Sequence, residues 1–206
     1  MNGYGAIESL DLKEIMNSSI SKKCQGLVEN PLKNTKREAE EVIYPNSANI
    51  SLRNNIIPEL CKEASLTTRG RLRFCLHTEI ENALHEMLIV HPYRTYVPPH
   101  KHHNQSESII ILEGIMDVVI FNKEGLVERV IPMGTFDSGR VFHNRLEIPE
   151  FHTMLIHSDQ VVFTEIKTGP YIAEMTEIAS WAPDTKDSIG VKKFLDKLFT
   201  KHKTVN

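Results

Sequence analysis

Between residues 69 and 170 the chain is divided into short apolar segments separated by turn residues. These segments are rich in β-branched residues, and glycine, proline or asparagine commonly stands between them. They carry little helical periodicity, so the pattern is typical of an antiparallel sandwich or barrel, a mainly β fold. The predicted strands are 71–77, 85–90, 93–97, 108–112, 116–121, 126–131, 141–148, 153–157 and 161–167.

Both ends of the chain show a different pattern from the central region. Apolar positions within 10–20 approximate helical spacing, and a polar stretch that suits a linker or a short surface helix follows them. A short helix is predicted over 56–64, with Pro58 near its first turn. We therefore predict three parts. They are a helical or flexible extension over 1–40, a β-barrel domain over 41–185 and an amphipathic helix over 186–206.

The C-terminal helix combines one apolar face with lysines elsewhere on its surface. A basic amphipathic helix can bind an anionic membrane, but such a terminal helix more often packs on its own domain or on a partner subunit. We expect the second arrangement. The longest apolar runs of the chain are too short to span a bilayer.

Composition narrows the function classes. The net charge is −3 with histidines neutral, so no global electrostatic argument favours nucleic acid as a partner. The three cysteines are widely spaced and form no CxxC pattern, which suggests reduced thiols in a cytosolic protein. No signal peptide is visible at the N-terminus, so we expect a cytoplasmic location.

Histidines are concentrated between residues 91 and 103, within a total of ten. In an extended strand, residues two apart point the same way, so His100 and His102 would face the interior while Lys101 faces out. A loop then allows the chain to turn, and Glu107 begins the next strand, where its carboxylate can return to the same point. His103 is an odd number of residues from His100 and His102, so its side chain would point away from them.

A fourth ligand is expected from a distant strand, and His152 after the turn at Pro149 supplies it. Imidazole and carboxylate together suit Zn, Fe, Mn, Ni or Co rather than Ca or Mg alone. We therefore predict one divalent transition metal per chain, held by His100, His102, Glu107 and His152. In six-coordination, four protein ligands leave two positions for water or substrate.

The segment from Pro99 to Gly114 resembles the first signature of the cupin superfamily in its two histidines, its glutamate and its closing glycine. The second signature is matched by Pro149 and His152. The usual glycine before that histidine is replaced, and Ile156 stands where an asparagine often occurs.

The wider region resembles the WbuC family of cupin-fold metalloproteins over about residues 42–183. The matching stretches are 69–77, 86–88, 96–102, 113–114, 165–170 and 181–183. The resemblance implies a jelly-roll β-barrel with a metal, a homodimer and an association with bacterial surface-polysaccharide synthesis. It implies no established reaction.

Further site residues are predicted from strand parity. Arg71, Arg73 and His77 share one face of a strand, where the arginines could grip a carboxylate or phosphate and His77 could transfer protons. A solvated strand face is the competing interpretation.

Three more residues are candidates for contact with a substrate or with the ligand histidines. Tyr96 shares the parity of His100 and would line the pocket. Glu86 and Glu165 would accept hydrogen bonds from ligand histidines, or else they are ordinary surface charges.

The leading functional hypothesis is a metal-dependent enzyme acting on a small polar, carbohydrate-linked molecule in surface-polysaccharide metabolism. A second hypothesis is a non-catalytic module that binds sugar or metal. A third is a sugar-nucleotide isomerase or epimerase that works without metal, which the complete set of metal-binding side chains disfavours.

Overall fold

The computed structural model describes residues 31–202, so the helical pattern within 10–20 and the last four residues lie outside it. Twelve strands and two α-helices follow one another along this part of the chain. In order they are β1 (Thr35–Ala39), β2 (Val42–Pro45), α1 (Ile56–Ser65), β3 (Leu72–Cys75), β4 (Leu84–Pro92), β5 (His100–His102), β6 (Glu107–Glu113), β7 (Ile115–Phe121), β8 (Val127–Gly134), β9 (His143–Leu146), β10 (Phe151–Ile156), β11 (Gln160–Thr168), β12 (Thr176–Ile178) and α2 (Ser188–Lys201). The predicted mainly β fold is confirmed.

The strands form two sheets that face each other. One sheet has seven strands in the order β1-β2-β3-β4-β11-β6-β9, and the other has five in the order β12-β5-β10-β7-β8. All strand pairs are antiparallel except β2 with β3. The architecture is a jelly roll, but the two sheets stay separate rather than closing into the barrel that we expected.

An apolar core fills much of the space between the sheets. Alternate residues of the inner strands point into it, as the period of two requires. Ile109 and Ile111 enter it from β6, Met116 and Val118 from β7, and Phe163 from β11, all nearly inaccessible to solvent. Burial of these side chains is the main source of stability for the two-sheet arrangement.

A helix covers the outer face of each sheet. The apolar side of α1, including Leu60, packs on Phe74 and Leu88 of the seven-stranded sheet. On the five-stranded sheet, α2 buries Leu195 and Leu198 in a second outer cluster. The C-terminal helix thus packs on its own domain, as predicted. Within residues 31–202 no helix is long and apolar enough to cross a membrane.

Two predicted segments differ from the structure. Residues 93–97 do not form a strand, because Arg94 takes a positive φ of 59° and the Thr95 hydroxyl donates to the Pro92 carbonyl, which turns the chain. Residues 31–40, which we assigned to the helical or flexible extension, contain a short 3-10 turn and strand β1. That strand is charged and mostly exposed, so it carries no apolar alternation to reveal it.

Gly114 makes the tight connection between β6 and β7 possible. Its φ of +83° lies in the left-handed region, and a Cβ there would collide with the carbonyl oxygen of Gln160 and the Ser158 hydroxyl. Glycine is therefore required at the end of β6, the strand that begins with Glu107.

Candidate metal centre

Four of the predicted residues come together in the structure. His100 and His102 lie on β5, Glu107 begins β6 and His152 lies on β10, directly opposite His100 in the strand register. One donor atom from each lies within 4.8 Å of the other three. His102, Glu107 and His152 are buried, with relative exposures of 8%, 3% and 2%. This metal-ligand cluster, as we call the four residues, can accommodate a metal ion.

The alternation predicted for β5 accounts for half of the cluster. Lys101 lies on the opposite face from its two histidine neighbours, where its ammonium pairs with Glu177 and sits 4.4 Å from the centre of the Phe151 ring. His103, just beyond the strand, also pairs with Glu177 and stays outside the cluster.

Backbone carbonyl groups orient two of the imidazoles. His100 Nδ1 lies 2.8 Å from the Pro98 oxygen, and His152 Nδ1 lies 2.9 Å from the Glu150 oxygen. A carbonyl only accepts, so each Nδ1 must carry the proton and each Nε2 keeps its lone pair. Hydrogen bonding through one ring nitrogen is how metal-binding histidines are usually fixed in tautomer and orientation.

His102 and Glu107 complete the arrangement. His102 Nδ1 lies 3.1 Å from the Thr176 hydroxyl, while its Nε2 is 2.9 Å from Glu107 Oε2. The other carboxylate oxygen, Oε1, is 3.8 Å from His152 Nε2. Among the described residues, this oxygen and this nitrogen are both buried without a hydrogen-bond partner. Such groups are costly to leave unsatisfied, which suggests that something else binds them.

Electrostatics favour the protonation states that bind metal. Burial, followed by the charge of His152, lowers the pKa of His100 to about 3, which keeps its imidazole neutral. Burial acts to raise the pKa of Glu107, but the hydrogen bond from His102 and the surrounding histidines lower it overall. A neutral imidazole and an ionised carboxylate are the forms that coordinate a cation.

A cavity of about 430 Å³ adjoins the metal-ligand cluster. Its wall includes His100, His102 and Glu107, several charged side chains and an apolar part. The charged residues outside the cluster are Glu41, Arg69, Arg71, Arg73, Glu165 and Lys167. The volume suits a small ligand, since pockets for such molecules commonly occupy a few hundred cubic ångströms.

Three of the further predicted site residues line this cavity. Arg71 is engaged by Glu41, which also pairs with Arg69, so its guanidinium is held at the cavity wall. Arg73 is the exposed residue of an otherwise buried strand. Glu165 is half-buried, and burial together with the charge of Glu107 raises its pKa to about 7.

The other three predicted residues lie outside the cavity lining. His77 stacks on His85 with ring centres 4.1 Å apart, and its Nδ1 is 3.1 Å from the Glu86 carbonyl oxygen. The Tyr96 hydroxyl donates to the Pro183 carbonyl, and its ring packs near Phe194 of α2. The structure therefore does not bring His77, Glu86 or Tyr96 together with the cluster.

Lys167 is a charged cavity residue in contact with the metal-ligand cluster, and it was not predicted from the sequence. It pairs with Glu107 in the register of β11 and β6, and its ammonium lies 3.0 Å from His102 Nδ1. Parity with Glu165 on the same strand would have placed Lys167 on the same face of β11 but not beside His102. Glu41 carried no comparable signal, because the strands flanking it were not predicted.

A family described as a domain of unknown function, DUF6016, matches residues 52–133. No curated protein gives a significant match.

Several solved structures resemble parts of the chain. The DMSP lyase DddQ from Ruegeria pomeroyi is 18% identical with a TM-score of 0.40, covering 52% of this chain and 51% of the lyase. The capsular polysaccharide assembling protein CapF from Staphylococcus aureus is 10% identical with a TM-score of 0.41, covering 52% and 31%.

An uncharacterized conserved protein with a double-stranded β-helix domain, from Klebsiella pneumoniae, is 11% identical with a TM-score of 0.40 and coverages of 53% and 79%. The chain thus spans about half of the lyase and less than a third of the capsule protein.

Proposed function

We propose that His100, His102, Glu107 and His152 bind one divalent transition metal, and that the protein is a metal-dependent enzyme. The observation that carries the proposal is the pair of unsatisfied buried atoms, Glu107 Oε1 and His152 Nε2, which face each other at 3.8 Å. A cluster that existed only to stabilise the fold would be expected to satisfy its buried polar atoms internally.

The set of donors indicates the class of metal. Three imidazole nitrogens and one carboxylate suit Zn, Fe, Mn, Ni or Co, whereas Ca and Mg prefer oxygen ligands throughout. The carbonyl groups of Pro98 and Glu150 would keep two of the rings in the correct tautomer when metal binds.

A catalytic role is supported by the cavity beside the cluster, which provides room for a small polar substrate. When bound, a metal of this class polarises a carbonyl group, activates water or binds dioxygen. In this proposal Arg73 positions the substrate, and the carboxyl group of Glu165 accepts or donates a hydrogen bond. The resemblance to the WbuC family makes carbohydrate-linked molecules of surface-polysaccharide metabolism the first substrates to test.

Elemental analysis of protein purified without added metal tests the metal assignment. We expect about one metal ion per chain in the unmodified protein and very little in His102→Ala and Glu107→Gln, because each removes a ligand. His103→Asn is the matched control, since His103 is an adjacent histidine outside the cluster. Full metal content in His102→Ala and Glu107→Gln would contradict the assignment.

Ligand screening by thermal shift, followed by assays of turnover, separates the functional alternatives. Stabilisation by a carbohydrate-linked compound together with metal-dependent turnover would support the enzyme. Stabilisation without turnover would favour the non-catalytic binding module, and activity of metal-free protein on sugar nucleotides would favour the isomerase.

A further inference from the structure

We propose that the cavity binds a small ligand bearing a carboxylate, and that Arg73 and Lys167 are the side chains that recognise it. The proposal rests on the proposed function, because it places the ligand beside the metal-ligand cluster. It adds a substrate class, and it adds Lys167 as a binding residue.

Lys167 supplies the first cationic group. It lies on the inner face of β11, and its Nζ is 3.0 and 3.2 Å from the two ring nitrogens of His102. Lys167 is half-buried, so its ammonium has lost part of the water that would otherwise solvate it. Within residues 31–202 it forms no ion pair with a carboxylate. A desolvated cation without such a pair favours the arrival of an anion.

Arg73 supplies the second cationic group from another part of the wall. Its neighbours Leu72, Phe74 and Cys75 are buried, whereas Arg73 itself is exposed and lines the cavity. In the described part of the chain its guanidinium makes neither a hydrogen bond nor an ion pair. The planar donors of an arginine in this condition match the two oxygens of a carboxylate.

The neighbouring arginines differ in this respect. Arg69 and Arg71 both pair with Glu41, so these two arginines and the one glutamate carry a net charge of +1. Arg69 and Arg71 therefore already have a carboxylate partner within the chain, whereas Arg73 does not. Recognition by Arg73 needs no internal ion pair to be broken first.

The charges of the cavity wall favour an anionic ligand. Arg69 and Arg71 together with Glu41 carry a net charge of +1. Arg73 and Lys167 contribute two positive charges, and Glu107 contributes one negative charge that would be directed to the metal. Glu165 adds a second carboxyl group to the same cavity. A carboxylate would supply an ion-pair partner to these two cations, whereas a neutral sugar would not.

Calorimetric titration of the metal-loaded protein tests the proposal with matched probes. Glucuronate and glucose differ only in a carboxylate, lactate presents a carboxylate without a sugar, and glucose 6-phosphate presents a phosphate. We expect at least one of the two carboxylates to bind at least tenfold more tightly than glucose. Binding by glucuronate alone would indicate a sugar acid, and binding by lactate a smaller hydroxy acid.

Variants then assign the binding to the two residues. Arg73→Gln and Lys167→Met should each weaken carboxylate binding at least tenfold while retaining the metal content of the unmodified protein. Lys193→Met removes the same charge from the exposed face of α2 and should change the affinity less than twofold. Metal content is measured on every variant, and circular dichroism verifies that each is folded.

The outcomes separate the two proposals. Carboxylate binding that depends on Arg73 and Lys167 in a protein holding no metal would contradict the proposed function and leave the anion site standing. A metal-loaded protein that binds neither carboxylate, or binds only glucose 6-phosphate, would overturn the anion site and leave the metal site standing. Undiminished binding in both cavity variants would also overturn it.

Discussion

Glu107→Gln is expected to stabilise the metal-free protein while abolishing metal binding. In the metal-free state Glu107 is a buried carboxylate with one unsatisfied oxygen, and His152 Nε2 is also unsatisfied. The glutamine amide keeps an oxygen for the hydrogen bond from His102 and gains an N–H group. That group can donate to His152 Nε2, which lies 3.8 Å from the present carboxylate oxygen.

The size of the expected change in the free energy of unfolding follows from the buried polar groups involved. Leaving a buried polar atom unsatisfied costs roughly 1–3 kcal/mol, so satisfying two of them contributes roughly 2–6 kcal/mol. The histidine contacts that lower the pKa of Glu107 favour the carboxylate and are weakened in the variant, so the net gain in metal-free stability should be about 1–3 kcal/mol. With metal at about a thousand times its Kd, the unmodified protein gains about 4 kcal/mol of stability that the variant lacks. The order of stability should therefore reverse when metal is added.

Urea unfolding with a chelator and again with saturating metal measures both effects. Glu128→Gln makes the same chemical change at an exposed glutamate and should alter the free energy of unfolding by less than about 0.5 kcal/mol. A metal-free Glu107→Gln protein that is less stable than the unmodified protein would refute the reasoning. In that case the carboxylate would be a structural group that happens to lie among histidines.

Three other predictions test the fold and its response to pH. Gly114→Ala should cost at least about 1 kcal/mol in a denaturation experiment, because the residue has a positive φ and its Cβ would meet the Gln160 carbonyl. Leu195→Ala should cost roughly 2–5 kcal/mol in the same experiment, whereas Lys193→Ala on the exposed face of α2 should cost much less. Burial, the largest cause, lowers the pKa of His91 to about 3, so folding disfavours its protonation. The corresponding stability is fully present above the unfolded pKa of about 6.5 and is lost as the pH falls through the folded value. His91→Gln should therefore reduce the loss of unfolding free energy on acidification below about pH 6.5.

The sequence predicted the centre of the fold better than its edges. Strands such as β7 and β11 carry alternating or continuous apolar residues because they cross the core, and both were predicted. Strands β1 and β12 are short, largely exposed edge strands. Strand β12 pairs with β5, which is distant in sequence, and β1 is charged and carries no apolar alternation, so local pattern reveals neither.

The same distinction explains which site residues were predicted. His100, His102 and Glu107 lie close together in the chain, so parity and a turn were enough to relate them. Tyr96 was misplaced because the chain turns at Arg94 and parity counted along a strand no longer applies. The contact between Lys167 and His102 depends on the register of β11 with β6, which only the folded structure supplies.

That register also explains how the protein can hold an unfavourable polar cluster. Along the inner face of β6, Glu107 is followed by Ile109 and Ile111; along β11, Lys167 and Glu165 are preceded by Phe163. Antiparallel pairing aligns Glu107 with Lys167 and Ile111 with Phe163, so polar residues collect at one end of the interior and apolar residues at the other. The apolar end is nearly inaccessible to solvent and stabilises the two sheets. The polar end can therefore retain unsatisfied donors and acceptors without unfolding the protein. Substitutions at this end that raise the stability of the metal-free protein should weaken metal or ligand binding.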